Sequence, residues 1–455
     1  MSIKKYFGTD GIRGLVGELP ISPDWMLKLG WAVGLVLKSK NSNILIGKDT
    51  RISGYMFESA LEAGLAAAGC NIGLLGPMPT PAVSYLTNKL NADAGIVISA
   101  SHNPYYDNGV KFFGKNGNKL SESLELEIER QLEQNFHTVS SKNLGKAKRI
   151  TNAEEQYVEF CKNSFPAGLN LNNIKLVIDC ANGANYKIAP LVFKSLGAKV
   201  EVIAASPDGL NINVNCGSTN PKLLIKAIKE HQADVGIAFD GDGDRVVLVD
   251  GLTNQIIDGD DLLYIIANWY LASGKKLTGV IGTIMSNLGL EKALSAMGLS
   301  FIRTNVGDRY IFEELIKRRW QLGGEASGHI ICRNVHATGD GIIAALQVLA
   351  AMTATGKSLS ELLQPMEKYP QILINVPIKT ASSYKKILNN INFKKAYKYL
   401  EKKLQGEGSY GRVVIRPSGT EPVMRVMVEG SDKKLINIIA KELEQVILGV
   451  PLQQT

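Results

Sequence analysis

Ser22-Pro23-Asp24-Trp25-Met26-Leu27-Lys28-Leu29 opens a run of apolar residues at helical spacing that lasts to Leu37. Ile44-Leu45-Ile46 follows and runs into Gly47-Lys48-Asp49-Thr50-Arg51. A serine before a proline marks a helix start, because the ring lacks a backbone donor but fits the first turn. The apolar triplet is too short for a helix and reads as a buried strand. The alternation then repeats, with a helix over Tyr55 to Ala68 and a strand Gly95-Ile96-Val97-Ile98 that ends at Ser99-Ala100-Ser101. Helices and short apolar strands in turn are what stacked layers require, so the class is α/β.

The polar stretch Ser140 to Lys148 closes this first unit, residues 1–148. Residues 149–253 repeat the pattern, with strands Lys175 to Asp179, Val200 to Ile203 and Val235 to Phe239. Residues 254–367 do so again around Val280, Phe301 and Leu322, and include the apolar helix Gly341 to Met352, interrupted by Gln347 and too short to span a bilayer. Beyond Pro365 the order changes to a strand Ile372 to Ile378, two Lys-rich helices, strands Arg412 to Ile415 and Met424 to Val428, and a final helix from Lys433. The expected architecture is three successive α/β domains with mixed sheets plus a C-terminal α+β domain over 368–455. Three similar units hint at an internal structural repeat.

A chain of 455 residues with 45% apolar and 21% charged residues can bury a large core and is neither disordered nor fibrous in composition. Its formal charge of +8 suits anionic ligands. There is no Lys/Arg block and no zinc-finger or RNA-binding signature, so nucleic acid is not an expected partner. A membrane is not expected either. The five cysteines, Cys70, Cys161, Cys180, Cys216 and Cys332, form no CxxC pair, which indicates reduced thiols and a cytoplasmic protein. The segment Met1 to Asp10 lacks the apolar stretch of a signal peptide, so export is not expected.

Asp240-Gly241-Asp242-Gly243-Asp244-Arg245 lies between the strands Val235 to Phe239 and Val246 to Val249. Alternate spacing turns the three carboxylates to one side, and charges so close need a cation unless the turn is solvated. Three oxygen ligands with open positions suit Mg²⁺; Arg245 and Gly251 stand where an EF-hand needs glycine and glutamate. Ser99-Ala100-Ser101-His102-Asn103-Pro104 sits where a parallel strand delivers its carboxyl end, the ligand side of an α/β sheet. Ser101 reads as a nucleophile or as a turn serine. His102, its neighbour, is expected to point away, which disfavours a hydrolase pair.

Arg416-Pro417-Ser418-Gly419-Thr420-Glu421-Pro422 joins two strands and reads equally as a phosphate clamp, with Arg425, or as a Pro/Gly hairpin turn. Gly323-Gly324-Glu325-Ala326-Ser327-Gly328-His329 offers acceptors, donors and an imidazole suited to sugar hydroxyls. Gly339-Asp340-Gly341-Ile342-Ile343-Ala344 fits a loose dinucleotide pattern but follows no strand, and reads as a helix N-terminus. Gly47-Lys48 precedes Asp49 and is not a P-loop.

In this order the motifs closely resemble the α-D-phosphohexomutase family: Phe7 to Gly14, Ser99 to Pro104, Asp240 to Arg245, Gly324 to His329 and Arg416 to Pro422. The resemblance covers essentially the whole chain. Gly8 to Gly14, Asp107 to Phe113 and Val426 to Gly430 are most similar to its bacterial amino-sugar branch. That implies interconversion of glucosamine 6-phosphate and glucosamine 1-phosphate, with glucosamine 1,6-bisphosphate as intermediate or activator. The same fold with a preference for glucose or mannose phosphates, or a catalytically silent sugar-phosphate-binding protein, are the alternatives.

The resemblance implies a phosphoserine at Ser101 and one Mg²⁺ per chain held by Asp240, Asp242, Asp244 and the Ser101 phosphate. It implies a proton relay through Lys111 with His329 second, and Arg13 and His102 beside them. Such a lysine needs a lowered pKa, which neighbouring cations would supply. Arg245, Glu325, Ser327, Gly307 and Asp308 are implied to bind the sugar. Arg416, Ser418, Gly419, Thr420 and Arg425 are implied to hold the phosphate that is not reacting. A phosphosugar is the implied partner, and a homodimer is left open.

Overall fold

In the computed structural model, strand Asn43–Lys48 lies between Ala94–Ile98 and Asn71–Pro77 and runs parallel to both. Asp107–Gly114 joins antiparallel beside Ala94–Ile98, and Ile12–Leu15 antiparallel beyond it. With Ala147–Arg149 on the far edge, this makes a mixed sheet of six strands. The strand continues through Lys48, where a loop is expected from Gly47, because the Lys48 ammonium is paired inside the protein with Glu58. A buried charge is tolerated in a strand when it has such a partner.

The structure describes residues 4–39, 42–378, 383–406, 410–417 and 423–449. They divide into two compact units, residues 1–283 with 304–364, and residues 284–303 with 365–455.

In the first unit, helices Pro23–Leu37 and Ser53–Ala67 pack through glycines. A Cβ on Gly30 would lie 2.6 Å from the Leu61 carbonyl oxygen, and one on Gly64 would lie 2.0 Å from that of Leu27. Only hydrogen fits there. Gly64→Ala is therefore expected to cost about 1–3 kcal/mol through forced separation of the helices, despite alanine's better helix propensity. An unchanged thermal unfolding midpoint would show that the helices part freely.

A second sheet in this unit has the strand order Ile256–Ile257, Val246–Asp250, Val235–Phe239, Lys175–Asp179, Lys199–Ile203. Its last three strands are parallel, and Val246–Asp250 returns antiparallel as a hairpin over the aspartate-rich turn. Farther on, Gly279–Thr283 and Leu322–Gly324 are parallel, and Ile330–Cys332 returns antiparallel. Helix Gly341–Thr355 is buried from Gly341 to Met352, as its composition demands, and Asp340 caps it by accepting from the Ile343 N–H at 3.1 Å. Among the described residues no helix is long and apolar enough to cross a membrane.

The second unit is an antiparallel sheet with Val423–Gly430 between Gln371–Pro377 and Gly411–Pro417. Helices Ile391–Leu404 and Lys433–Leu448 contribute Phe393, Leu400, Ile439 and Leu443 to a core with Val376, Val426 and Val428. Residues 284–303 belong here because the fully buried Glu429 accepts from the Leu288 N–H at 2.8 Å and from Arg412 Nε at 2.6 Å, while Arg412 reaches the Ile284 carbonyl at 2.7 Å.

Candidate active site

Ser101 stands just beyond strand Ala94–Ile98 with φ +53°, a left-handed conformation that non-glycine residues rarely adopt. Surrounding bonds hold it there. Its N–H donates to Ser99 Oγ at 2.9 Å, and Ser99 donates to Asp49 at 2.6 Å. Asp49 in turn pairs with Arg51 at 2.8 Å, and Arg51 and Asn213 each donate to the Ser101 carbonyl at 2.9 Å. The Ser101 hydroxyl is fully buried and donates to Asp240 Oδ2 at 2.6 Å.

His102 does not point away as expected. Its Nδ1 lies 3.3 Å from Ser101 Oγ, because the left-handed backbone at Ser101 brings neighbouring side chains to one side. Burial, with Arg245 and Arg13 nearby, lowers its pKa to about 4, so the ring is neutral at pH 7. The shorter bond from Ser101 goes to Asp240, and a hydrolase pair remains disfavoured.

Asp240, Asp242 and Asp244 are all buried, and one oxygen of each lies within 4.8 Å of the others. Gly243, at φ +75°, allows the tight turn. Burial, and then the charges of Asp244 and Asp242, raise Asp240 well above the usual carboxylate range. Asp242 Oδ1 is buried without a hydrogen-bond partner among the described residues. Hard oxygen donors, crowded charge and an unsatisfied acceptor fit a divalent cation of the Mg²⁺ type.

Lys111 comes from strand Asp107–Gly114 and reaches Asp242 and Asp244 at 2.8 Å and Asp10 at 3.2 Å. The expected lowering of its pKa is not found. Burial would lower it, but Asp10, Asp242 and Asp244 outweigh burial and hold it well above its ordinary value. Its close neighbours are carboxylates where cations are expected. Against burial, Lys111 and then His329 hold Asp244 well below the usual carboxylate range.

Arg13 pairs with Asp10 and donates to the Ala100 carbonyl at 3.4 Å, while Arg245 Nε lies 3.9 Å from Asp244. From the later part of the unit, Glu325 accepts from the Gly307 N–H at 2.9 Å, and Ser327 donates to Glu325 at 3.4 Å. His329 places Nδ1 3.8 Å from Asp244 and Nε2 3.7 Å from Asp308. A Cβ on Gly339 would come within 2.3 Å of that ring, so the discarded Gly339-Asp340-Gly341 pattern serves as a close-packed helix start.

The structure thus gathers Arg13, Ser101, His102, Lys111, Asp240, Asp242, Asp244, Arg245 and His329 around one aspartate-rich turn, with Asp308 beside His329 and Gly307, Glu325 and Ser327 bonded together. Asp10 joins this site from within the Phe7 to Gly14 motif, where its sequence context gives it no particular role. Lys119, Asp49 and Arg51 are missed as well. Two opposite charges ending a buried strand were the available signal for Asp49 and Arg51; Lys119 gave none. In the second unit Arg416 and Arg425 face each other across paired strands. Ser418, Gly419 and Thr420 lie outside the described residues.

Four family models described as phosphoglucomutase/phosphomannomutase match in order: alpha/beta/alpha domain I over residues 4–138, domain II over 155–253, domain III over 258–369, and the C-terminal domain over 373–446. The chain belongs to the phosphoglucomutase/phosphomannomutase family. The fold is the family's four-domain architecture. A phosphoglucosamine mutase of Nitrosococcus oceani is 56% identical over 98% of this chain and 99% of its own. That of Cellvibrio japonicus is 57% identical over 98% of each. A solved phosphoglucomutase/phosphomannomutase family protein from Burkholderia thailandensis has a TM-score of 0.79 at 23% identity, covering 96% of both chains.

Proposed function

We propose that the protein interconverts glucosamine 6-phosphate and glucosamine 1-phosphate through phosphoserine 101 and glucosamine 1,6-bisphosphate, supplying UDP-N-acetylglucosamine synthesis. The observation that carries the sugar choice is identity of 56% and 57%, over 98% of the chain, to relatives named phosphoglucosamine mutase. The geometry that supports the chemistry is the Ser101 hydroxyl, buried against Asp240 at 2.6 Å.

In the proposed reaction the bond between phosphorus and Ser101 Oγ breaks as a sugar oxygen bonds to phosphorus. The 1,6-bisphosphate then turns over and returns its other phosphoryl group to Ser101. Such transfers need alignment and charge neutralisation more than covalent help. Asp240, Asp242 and Asp244 would hold one Mg²⁺, which supplies that neutralisation. Arg13 and Arg245 add positive charge; Asp242 and Asp244, which help hold the Lys111 pKa up, are carboxylates a bound cation would neutralise, so Lys111 Nζ stays the first candidate for carrying the proton between sugar oxygen and Ser101, with His329 second. His102, neutral and beside Oγ, lines the nucleophile.

Glu325, Ser327, Gly307, Asp308 and Arg245 bind sugar hydroxyls, and Arg416, Ser418, Gly419, Thr420 and Arg425 hold the idle phosphate. Domain limits near residues 148, 253 and 367, a cytoplasmic location, a phosphosugar partner, the absence of nucleic-acid and membrane partners, and assembly as a homodimer belong to the same proposal.

The test is ³¹P NMR of the protein with Mg²⁺, a trace of hexose 1,6-bisphosphate, and glucosamine, glucose or mannose 6-phosphate in separate tubes. The glucosamine 1-phosphate signal is expected to grow fastest. Faster conversion of glucose or mannose phosphate would move the protein to the other mutase reading, and no conversion in any tube would favour a silent binding protein.

A further inference from the structure

Lys119 belongs to none of the sequence motifs, yet its ammonium sits between two carboxylates from distant parts of the chain. It lies 2.6 Å from Asp10 Oδ1 and contacts Asp308 Oδ2. Its place is fixed by the turn after strand Asp107–Gly114, where the Gly114 N–H donates to the Asn118 carbonyl at 2.8 Å and Lys119 bridges back to Phe113. The strand that carries Lys111 therefore also delivers Lys119.

Followed outward from Lys119, the contacts close on themselves. Asp308 lies 3.7 Å from His329 Nε2, and His329 Nδ1 lies 3.8 Å from Asp244. Asp244 takes Lys111 at 2.8 Å, Lys111 lies 3.2 Å from Asp10, and Asp10 returns to Lys119. Three acids thus alternate with three bases. Lys111, Asp244, His329 and Asp308 are buried, so each contact is stronger than it would be in water.

We propose that Lys119 is a positioning residue of the transfer reaction, closing this ring so that Asp10 is held against Lys111 and Asp308 against His329. The proposal rests on the mutase reading of the same site. The two arms differ in their dependence on it. Asp10 keeps Lys111 and Arg13 when Lys119 is lost, whereas Asp308 keeps, among the described residues, the neighbouring Arg309 N–H at 2.8 Å, the field of the Arg309 guanidinium and the more distant imidazole. Without Lys119 the Asp308 carboxylate turns towards His329 and draws its ring from Asp244. A displacement of about 1 Å in a group aligned with the reacting atoms slows the reaction by about 10²-fold, more than the turn of the one carboxylate Asp308 weakens substrate binding.

The experiment measures kcat and KM for the wild type, Lys119→Met and Lys119→Arg, on whichever hexose 6-phosphate the wild type converts fastest. A wrong sugar then counts against the functional reading and leaves this test intact, while a wild type that converts none overturns both. Lys119→Met is expected to lose about 10²-fold in kcat with KM raised by less than about tenfold, and Lys119→Arg to stay within about tenfold of the wild-type kcat. A Lys119→Met kcat within about twofold of wild type overturns the proposal, as does a folded Lys119→Arg as slow as Lys119→Met, which would indicate packing alone. Should Lys119→Met fail to fold, the double variant Lys119→Met/Asp308→Asn removes both charges of the broken pair. It is expected to fold and remain about 10²-fold slow, and wild-type turnover by it overturns the proposal.

Discussion

Ser101→Ala is expected to lose about 10⁴-fold or more of glucosamine phosphate turnover while binding glucosamine 6-phosphate within a few-fold of the wild type. The hydroxyl it removes is the one that meets Asp240 at 2.6 Å, on a backbone held at φ +53°. Its neighbours cannot take over. Ser99 Oγ is committed to Asp49 at 2.6 Å, and Thr80 Oγ1 to Asp242 at 2.6 Å. Mass spectrometry of the wild type should place the phosphoryl group on Ser101, not on Thr80. A Ser101→Ala variant with turnover within about tenfold of wild type would remove Ser101 from the reaction.

Asp240→Asn is the second large effect, a loss of about 10³-fold in kcat. Asparagine keeps the shape, so the Arg245 N–H that now donates to Asp240 Oδ1 at 3.1 Å retains an acceptor. What disappears is one ionisable carboxyl of a buried trio, the one that desolvation and then repulsion from Asp244 and Asp242 raise well above the usual carboxylate range. Relief of that repulsion should leave the variant at least as stable as the wild type, which separates catalysis from folding. Chelation with EDTA should bring the wild type to the same low rate, and added Mg²⁺ should restore the wild type at concentrations that leave the variant slow. Asp240→Asn activity within about fivefold of wild type, or wild-type turnover undiminished by EDTA, would contradict the metal assignment.

Much of the fold was legible because its signals are local. The helix start at Ser22-Pro23, the strand at Lys175 to Asp179 and the buried helix from Gly341 each follow from spacing, capping or composition within a few residues. The aspartate triplet was legible for the same reason. The environment of Lys111 was not, because its pKa is set by Asp10, 101 positions earlier, and by Asp242 and Asp244, more than 130 positions later. Lys119 was invisible for the same cause. His102 misled because neighbours in sequence normally diverge, and the left-handed φ at Ser101 that brings them together is a property of its hydrogen-bonded surroundings. The C-terminal unit's hold on residues 284–303 likewise depends on Glu429 and Arg412, which nothing in the earlier segment announces.

The proposed phosphoryl transfer from Ser101 to the sugar is reached directly by a single-turnover experiment. The protein is labelled with ³²P on Ser101, freed of excess label, and mixed with unlabelled glucosamine 6-phosphate and Mg²⁺. The label is expected to leave the protein within one turnover and appear first in glucosamine 1,6-bisphosphate. Product formed while the label stays on Ser101 would contradict the phosphoserine mechanism.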